Sequence, residues 1–213
     1  MNIHDTTVNI LTLGRFSVSY NGKPVVSDWP DETIKVFFCS LISPLDLYFT
    51  WDRICRSMLG VPETRSSRRQ LEELLIRPLN SFLIRELGFT PLVASLDSIS
   101  INQKRIYVDA REFQSAVVEG LRQLSLGDHA AAHIKLDRAM TLYAGSYLPG
   151  IHGKIIANTR NELESLYRTA SMESAQNTGR KHSQGGPERS DAHGQDLENI
   201  DSPLTLKSFP TGK

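Results

Sequence analysis

The chain is 213 residues long, enough for one or two domains with real cores. Its 24 Lys and Arg balance 24 Asp and Glu, so the net charge of zero carries no global signature of nucleic-acid binding. Two cysteines, Cys39 and Cys55, exclude a disulfide scaffold and lack the CxxC spacing of a zinc site, and no apolar run approaches the roughly 20 residues that span a bilayer.

Both cysteines lie inside apolar helical patterns, which reads as buried free thiols in a reducing compartment. The N-terminal stretch MNIHDTTVNI has no basic region followed by an apolar run, so it is not a signal peptide. The expectation is a soluble, cytoplasmic protein with no membrane contact.

Val8 to Val26 reads as a hairpin, with Phe16, Val18 and Tyr20 alternating with polar residues and Asn21-Gly22 as the two-residue turn. Asp31 is placed to cap a helix through Ile34, Val36, Phe37, Phe38, Leu41 and Ile42, which Pro44 stops. A second short helix starts at Thr50 and carries Trp51, Ile54, Cys55, Met58 and Leu59 before Gly60 and Pro62.

The stretch Thr64 to Gly88 follows. Leu71, Leu74, Leu75, Leu79, Phe82 and Leu83 recur at helical spacing as one stripe, and the opposite face carries Gln70, Glu73, Arg77, Asn80, Ser81 and Ile84. From Arg53 to Arg85 seven arginines face three acids, a local basic excess of the kind a small DNA-binding module shows. A helix apolar on one side with Arg, Asn and Gln on the other suits a major-groove reader, and equally a solvated surface helix. Pro78 falls inside it and removes a backbone hydrogen bond, so a kink is expected there.

Thr90 to Ala94 and Ser98 to Asn102 read as two strands around the turn Ser95-Leu96-Asp97. A sheet, three helices and a β-hairpin, in that order, make an α+β winged helix with an N-terminal β-sheet, over residues 1–107. From 108 to 172 the pattern is all-α. Asp109 is placed to cap a helix with Phe113, Val117, Val118, Leu121 and Leu124; a second carries Ala131, Ala132, Ile134, Leu136, Ala139 and Leu142; a third runs from Ile155 to Ala170. Helix pairs with alanines at their contacts predict a tetratricopeptide-like layer. From Glu173 to Lys213 the composition turns to Gly, Ser, Gln, Asn, His and charge, which predicts a disordered tail.

His129 and His133 are spaced like a metal pair but lack a third ligand, and no GxSxG, Walker, GxGxxG or HExxH pattern occurs. No enzyme activity, metal or cofactor is expected.

LTLGRFSVSYNGKPV, VDAREFQSAVVEG, MTLYAGSYLPG and TRNELESLYRTA resemble, in this order, segments of bacterial transcriptional activators of the SARP class. Such proteins carry an OmpR-type winged helix followed by a helical bacterial transcriptional activator domain. The resemblance spans roughly residues 8 to 170 and implies a shortened or diverged member, with double-stranded DNA as partner of the first domain. The second domain would serve contacts with RNA polymerase or self-association. In that reading Arg77, Asn80 and Ser81 lie near bases, while Arg53, Arg65, Arg69 and Arg85 hold phosphates. The chain also departs from the family: Phe82-Leu83-Ile84-Arg85 stands where a basic cluster is usual, and Asp97 sits in the wing turn. These departures leave a second reading open, an adaptor that keeps the architecture without binding DNA.

Overall fold

The computed structural model describes residues 8–25 and 28–184. The chain divides into two compact units, Met1–Asn177 and Thr178–Lys213, and all packing below lies within the first.

The N-terminal sheet has the order β3-β2-β1-β7, formed by β1 (Val8–Leu11), β2 (Ser17–Tyr20), β3 (Lys23–Pro24) and the late strand β7 (Ile106–Val108). Asn21 and Gly22 take φ of 50° and 73°, as the predicted two-residue turn demands. β1 is antiparallel to β2 but parallel to β7, with Val8 opposite Ile106 and Ile10 opposite Val108.

α1 (Glu32–Leu41) starts where Asp31 accepts from the Thr33 amide, and it buries Ile34, Phe37, Phe38 and Leu41. α2 (Trp51–Met58) starts at Thr50, whose hydroxyl accepts from the Arg53 amide. Cys39 and Cys55 are free and buried, as expected, and burial pushes the Cys39 thiol well above its ordinary range.

The long helix comprises α3 (Arg65–Leu71), a wide π turn over Glu72–Ile76, and α4 (Arg77–Leu87), ended by Gly88 at φ 74°. Thr64 and Ser67 form a reciprocal capping box at its start. Pro78 does not break it. The wide turn ends at Ile76, two residues before the proline, and re-registers the backbone bonding around the donor that Pro78 lacks, so the helix is continuous from Arg65 to Leu87. The predicted stripe holds for Leu71, Leu75, Leu79, Phe82 and Leu83, all buried, but Leu74 is 56% exposed. It sits one residue's rotation from Leu75, on the solvent side of the stripe.

β5 (Leu92–Ala94) and β6 (Ser98–Ile101) form the predicted hairpin, and a two-residue strand, β4 (Phe49–Thr50), adds to β6 to make a second sheet. A short 3-10 turn, Gln103–Arg105, leads into β7, which continues directly into α5 (Asp109–Ser125).

α5 and α6 (His129–Leu142) form a helical pair. Gly120 lets it close, since a Cβ there would lie 2.8 Å from the Leu136 side chain, and Ala132 and Ala139 are buried at the contact. α7 (Lys154–Gln184) buries Leu163 and Ala170 and stacks Tyr167 on Tyr143 at 4.1 Å. It runs past Ala170, the end expected from the sequence, so residue 172 falls within the helix. Of the disordered tail predicted from Glu173 to Lys213, residues 173–184 belong to this helix, and residues 185–213 lie outside the described residues.

Asp109 is not the cap of α5. It is the first helical residue, and its buried carboxylate accepts from the Thr12 amide (2.8 Å), the Thr12 hydroxyl (2.6 Å) and the Leu13 amide (3.1 Å). The cap position falls to Val108 because the β7 backbone is still extended there. The chain after α6 returns to the same place: Gly14 donates to the Ser146 carbonyl (3.0 Å), Leu148 donates to the Thr12 carbonyl (2.7 Å), and Leu13 bridges Tyr147. Arg160 of α7 holds that segment by donating to the carbonyls of Tyr147 (2.8 Å), Leu148 (2.8 Å) and Ile151 (3.0 Å). The β-sheet and helical layers therefore share one core, with β7 paired to the first strand and residues 146–148 bonded to residues 12–14 just beyond its end.

Glu112 adds a link between layers, accepting from the Tyr107 hydroxyl and from Arg138 (2.8 Å). Burial works to raise its pKa, but these two hydrogen bonds outweigh burial and hold it below 4.5. A carboxylate lowered in the folded state contributes stability above its unfolded pKa and loses it as pH falls through the folded value. Melting temperatures of the wild type and Glu112→Gln should therefore differ at neutral pH and converge as pH drops below about 4.5. A gap unchanged by acid would show that Glu112 acts only through packing.

Candidate nucleic-acid interface

The long α3–α4 helix lies beside the β5–β6 wing, and the two are fastened at one point. Trp51, the first residue of α2, donates through its indole nitrogen to the Ser95 carbonyl in the wing turn (3.2 Å), and its amide donates to the Asp97 carbonyl (3.3 Å). Arg68 of α3 lays its guanidinium over the Trp51 ring, 4.3 Å from the centroid, and donates to the same Ser95 carbonyl (3.1 Å). Within the wing, Ser95 donates its amide to the Ser98 carbonyl (2.8 Å), which sets the turn.

Arg65, Arg69, Arg77, Ser81 and Arg85 are all exposed along the long helix. Arg77, Ser81 and Ile84 follow one another at spacings of four and three residues, so they form one line on the solvent face, with Ile84 46% exposed. Asn80 is half-buried and its Oδ1 is turned away from solvent, so it presents less to a ligand than its predicted role near bases requires. Arg53 lies on α2, over the Phe49 ring at 4.9 Å.

The electrostatics differ from the arginine count. Six of the seven arginines between positions 53 and 85 have carboxylate partners: Arg53 with Asp46 (2.9 Å), Arg56 with Asp52 (2.8 Å), Arg68 with Glu63 (3.8 Å), Arg69 with Glu73 (3.0 Å), Arg77 with Glu72 (3.6 Å) and Arg85 with Glu86 (2.7 Å). Among the described residues Arg65 alone of this set has no acidic partner. Hydrogen bonding from Arg56, helped by the Glu63 amide, holds the Asp52 carboxyl below the usual range; the Arg69 contact does the same for Glu73. Asp46, Asp52 and Glu86 stand just outside the window in which the basic excess was counted. The pairs Asp52–Arg56 and Arg69–Glu73 follow the i,i+4 rule and were readable in the sequence. The convergence of Trp51 and Arg68 on Ser95 had no local signal, because it joins residues 27 and 44 positions apart.

Among the described residues no group of three or more His, Cys, Asp or Glu could hold a metal ion, and no helix is long and apolar enough to cross a membrane. His133 places its Nδ1 3.1 Å from Asp137 on its own helix.

The fold thus defines a winged helix joined without a linker to a helical layer. Residues 108–191 match the family model of the bacterial transcriptional activator domain. Among solved structures, the chain is similar to Mycobacterium tuberculosis EmbR in complex with a low-affinity phosphopeptide, with a TM-score of 0.61 and 15% identity. The match covers 83% of this chain and 47% of that one, so the chain spans about half the length of that protein. No curated protein matches the chain by sequence. The SARP-type likeness is supported from two sides: the helical layer carries the activator-domain signature, and the sheet, helix and wing arrangement has a counterpart in the EmbR fold.

Proposed function

We propose that the chain is a DNA-binding transcriptional regulator that sets the α3–α4 helix in the major groove with the wing alongside. The observation that carries this reading is the fastening of the wing beside the solvent face of the helix, which offers two elements at once to a duplex. Arg77 and Ser81 would meet base edges, with Asn80 a lesser contributor, and Arg65, Arg69, Arg85 and Arg53 would meet phosphates. Arg65 is free to do so. The others must exchange a carboxylate for a phosphate, which exposed ion pairs permit because they are weak. The helical layer offers Val118, Leu126 and Ile134, all more than half exposed, for contact with RNA polymerase or a second copy.

The test is a gel shift with random duplex fragments across a salt series. Binding at low salt that weakens as salt rises, and that is lost in the double variant Arg69→Ala, Arg77→Ala, supports the reading. No binding even at low salt removes it. A second reading, an adaptor that does not bind DNA, is favoured by the same six ion pairs together with exposed Leu74 and Ile84. It predicts no shift at any salt.

A further inference from the structure

We propose that Arg68 is a positioning residue: with Trp51 it clamps the wing turn to the start of the long helix, so that helix and wing meet DNA at a preset spacing. This rests on the DNA-binding reading, and it assigns Arg68 a part distinct from that of its neighbours Arg65 and Arg69.

The geometry separates Arg68 from a phosphate contact. Its guanidinium is engaged on three sides, over the Trp51 ring at 4.3 Å, on the Ser95 carbonyl at 3.1 Å and toward Glu63 at 3.8 Å, and its side chain is 33% exposed against 79% for Arg69. One carbonyl receives two donors, from Trp51 at 3.2 Å and from Arg68, so the wing turn is tied to α2 and α3 together. A planar guanidinium can stack on an indole and donate in its own plane at the same time, whereas an ammonium cannot reproduce both contacts. The wing is otherwise a short hairpin, with strands of three and four residues, and among the described residues its one further sheet neighbour is the two-residue β4. Ile99 and Ile101 anchor β6 in the core, but the turn beyond them is exposed, and a short hairpin is marginal alone, so the orientation of the turn depends on the clamp.

The experiment compares the full chain with Arg68→Met, Arg68→Lys and Arg65→Met, using duplex binding across a salt series and hydrogen exchange of the wing amides. Arg65→Met should lower the salt slope by about one, the loss of one phosphate contact. Arg68→Met should weaken binding about tenfold with the slope unchanged, since the clamp acts by orienting the wing and releases no counterion. Arg68→Lys should bind as weakly as Arg68→Met despite keeping the charge. In both Arg68 variants the amides of residues 95–98 should exchange faster while those of α1 are unaltered. A slope reduced in Arg68→Met as in Arg65→Met, or full rescue by Arg68→Lys, would make Arg68 a phosphate contact and overturn the proposal. If the wild type binds no DNA, the DNA reading falls on that result. The exchange measurement then decides the clamp, which is upheld by faster exchange confined to the wing and overturned by unchanged exchange.

Discussion

Asp109→Ala is expected to destabilise the protein by about 4 kcal/mol, because two buried backbone amides and a hydroxyl lose the acceptor that Asp109 provides, at a cost of roughly 1–3 kcal/mol each. Those donors are the amides of Thr12 and Leu13 and the hydroxyl of Thr12, and Asp109 and Thr12 are both buried. The carboxylate meets the end of β1 from a helix that begins nearly a hundred residues later. Asp109→Asn should do intermediate damage. Its amide keeps one acceptor oxygen but turns an NH2 group toward an amide that itself needs an acceptor. Urea unfolding followed by circular dichroism measures both: the midpoint should fall in the order wild type, Asn, Ala. A loss below about 1 kcal/mol in the alanine variant, no more than one ordinary hydrogen bond, would mean that the contact is dispensable.

The second large effect is expected at a residue with no side chain. Gly14 has φ of 79°, and a Cβ there would lie 2.7 Å from the Ala144 carbonyl oxygen. Alanine would combine a left-handed backbone, costing about 1–2 kcal/mol, with overpacking of about 1–3 kcal/mol, for a loss near 3 kcal/mol. Neither backbone can retreat, since the Gly14 amide is bonded to Ser146 and Leu148 to Thr12. Gly22 is also at positive φ, but nothing lies within 4 Å of the place a methyl group would take. There the same substitution meets only the backbone cost, about 1–2 kcal/mol. Thermal unfolding of the two variants separates close approach from conformation. Equal shifts in melting temperature would show that the approach of residues 144–146 to Gly14 contributes nothing.

Local chemistry made much of the first hundred residues legible in the sequence. Asn21-Gly22, the caps Asp31 and Thr50, Gly88 after the long helix and the hairpin around Ser95 each act within four or five residues of themselves, and each stands where the pattern put it. What escaped were contacts without a local signature. In the sequence Asp109 reads as a cap, but it is the first residue of the helix and its carboxylate is claimed by Thr12 and Leu13 from across the fold. β7 is three residues long and its partner β1 is remote, so periodicity could not distinguish it from a loop. For the site, the arginines were countable but their charge was not. Glu86 next to Arg85, Asp46 before Arg53 and Glu72 before Arg77 reduce an apparent basic stripe to a face on which Arg65 stands apart. Exposure at Leu74 likewise required knowing where the centre of the buried stripe lies.

The pairing of β1 also bears on how the molecule can be made. Val8 to Ile10 align with Ile106 to Val108, the Thr12 amide meets Asp109 across 97 positions, and the Thr12 carbonyl waits for Leu148. During synthesis the first strand therefore emerges long before its neighbours on one side exist. Until then its hairpin with β2 carries an open edge, and Ile10, fully buried in the finished fold, has only part of its surroundings. Closing so long a loop is slow compared with forming the helices in between. The last step in maturation of the N-terminal sheet should therefore be the pairing of β7, residues 106–108, and a nascent chain halted before Ile106 should remain protease-sensitive at its very first strand.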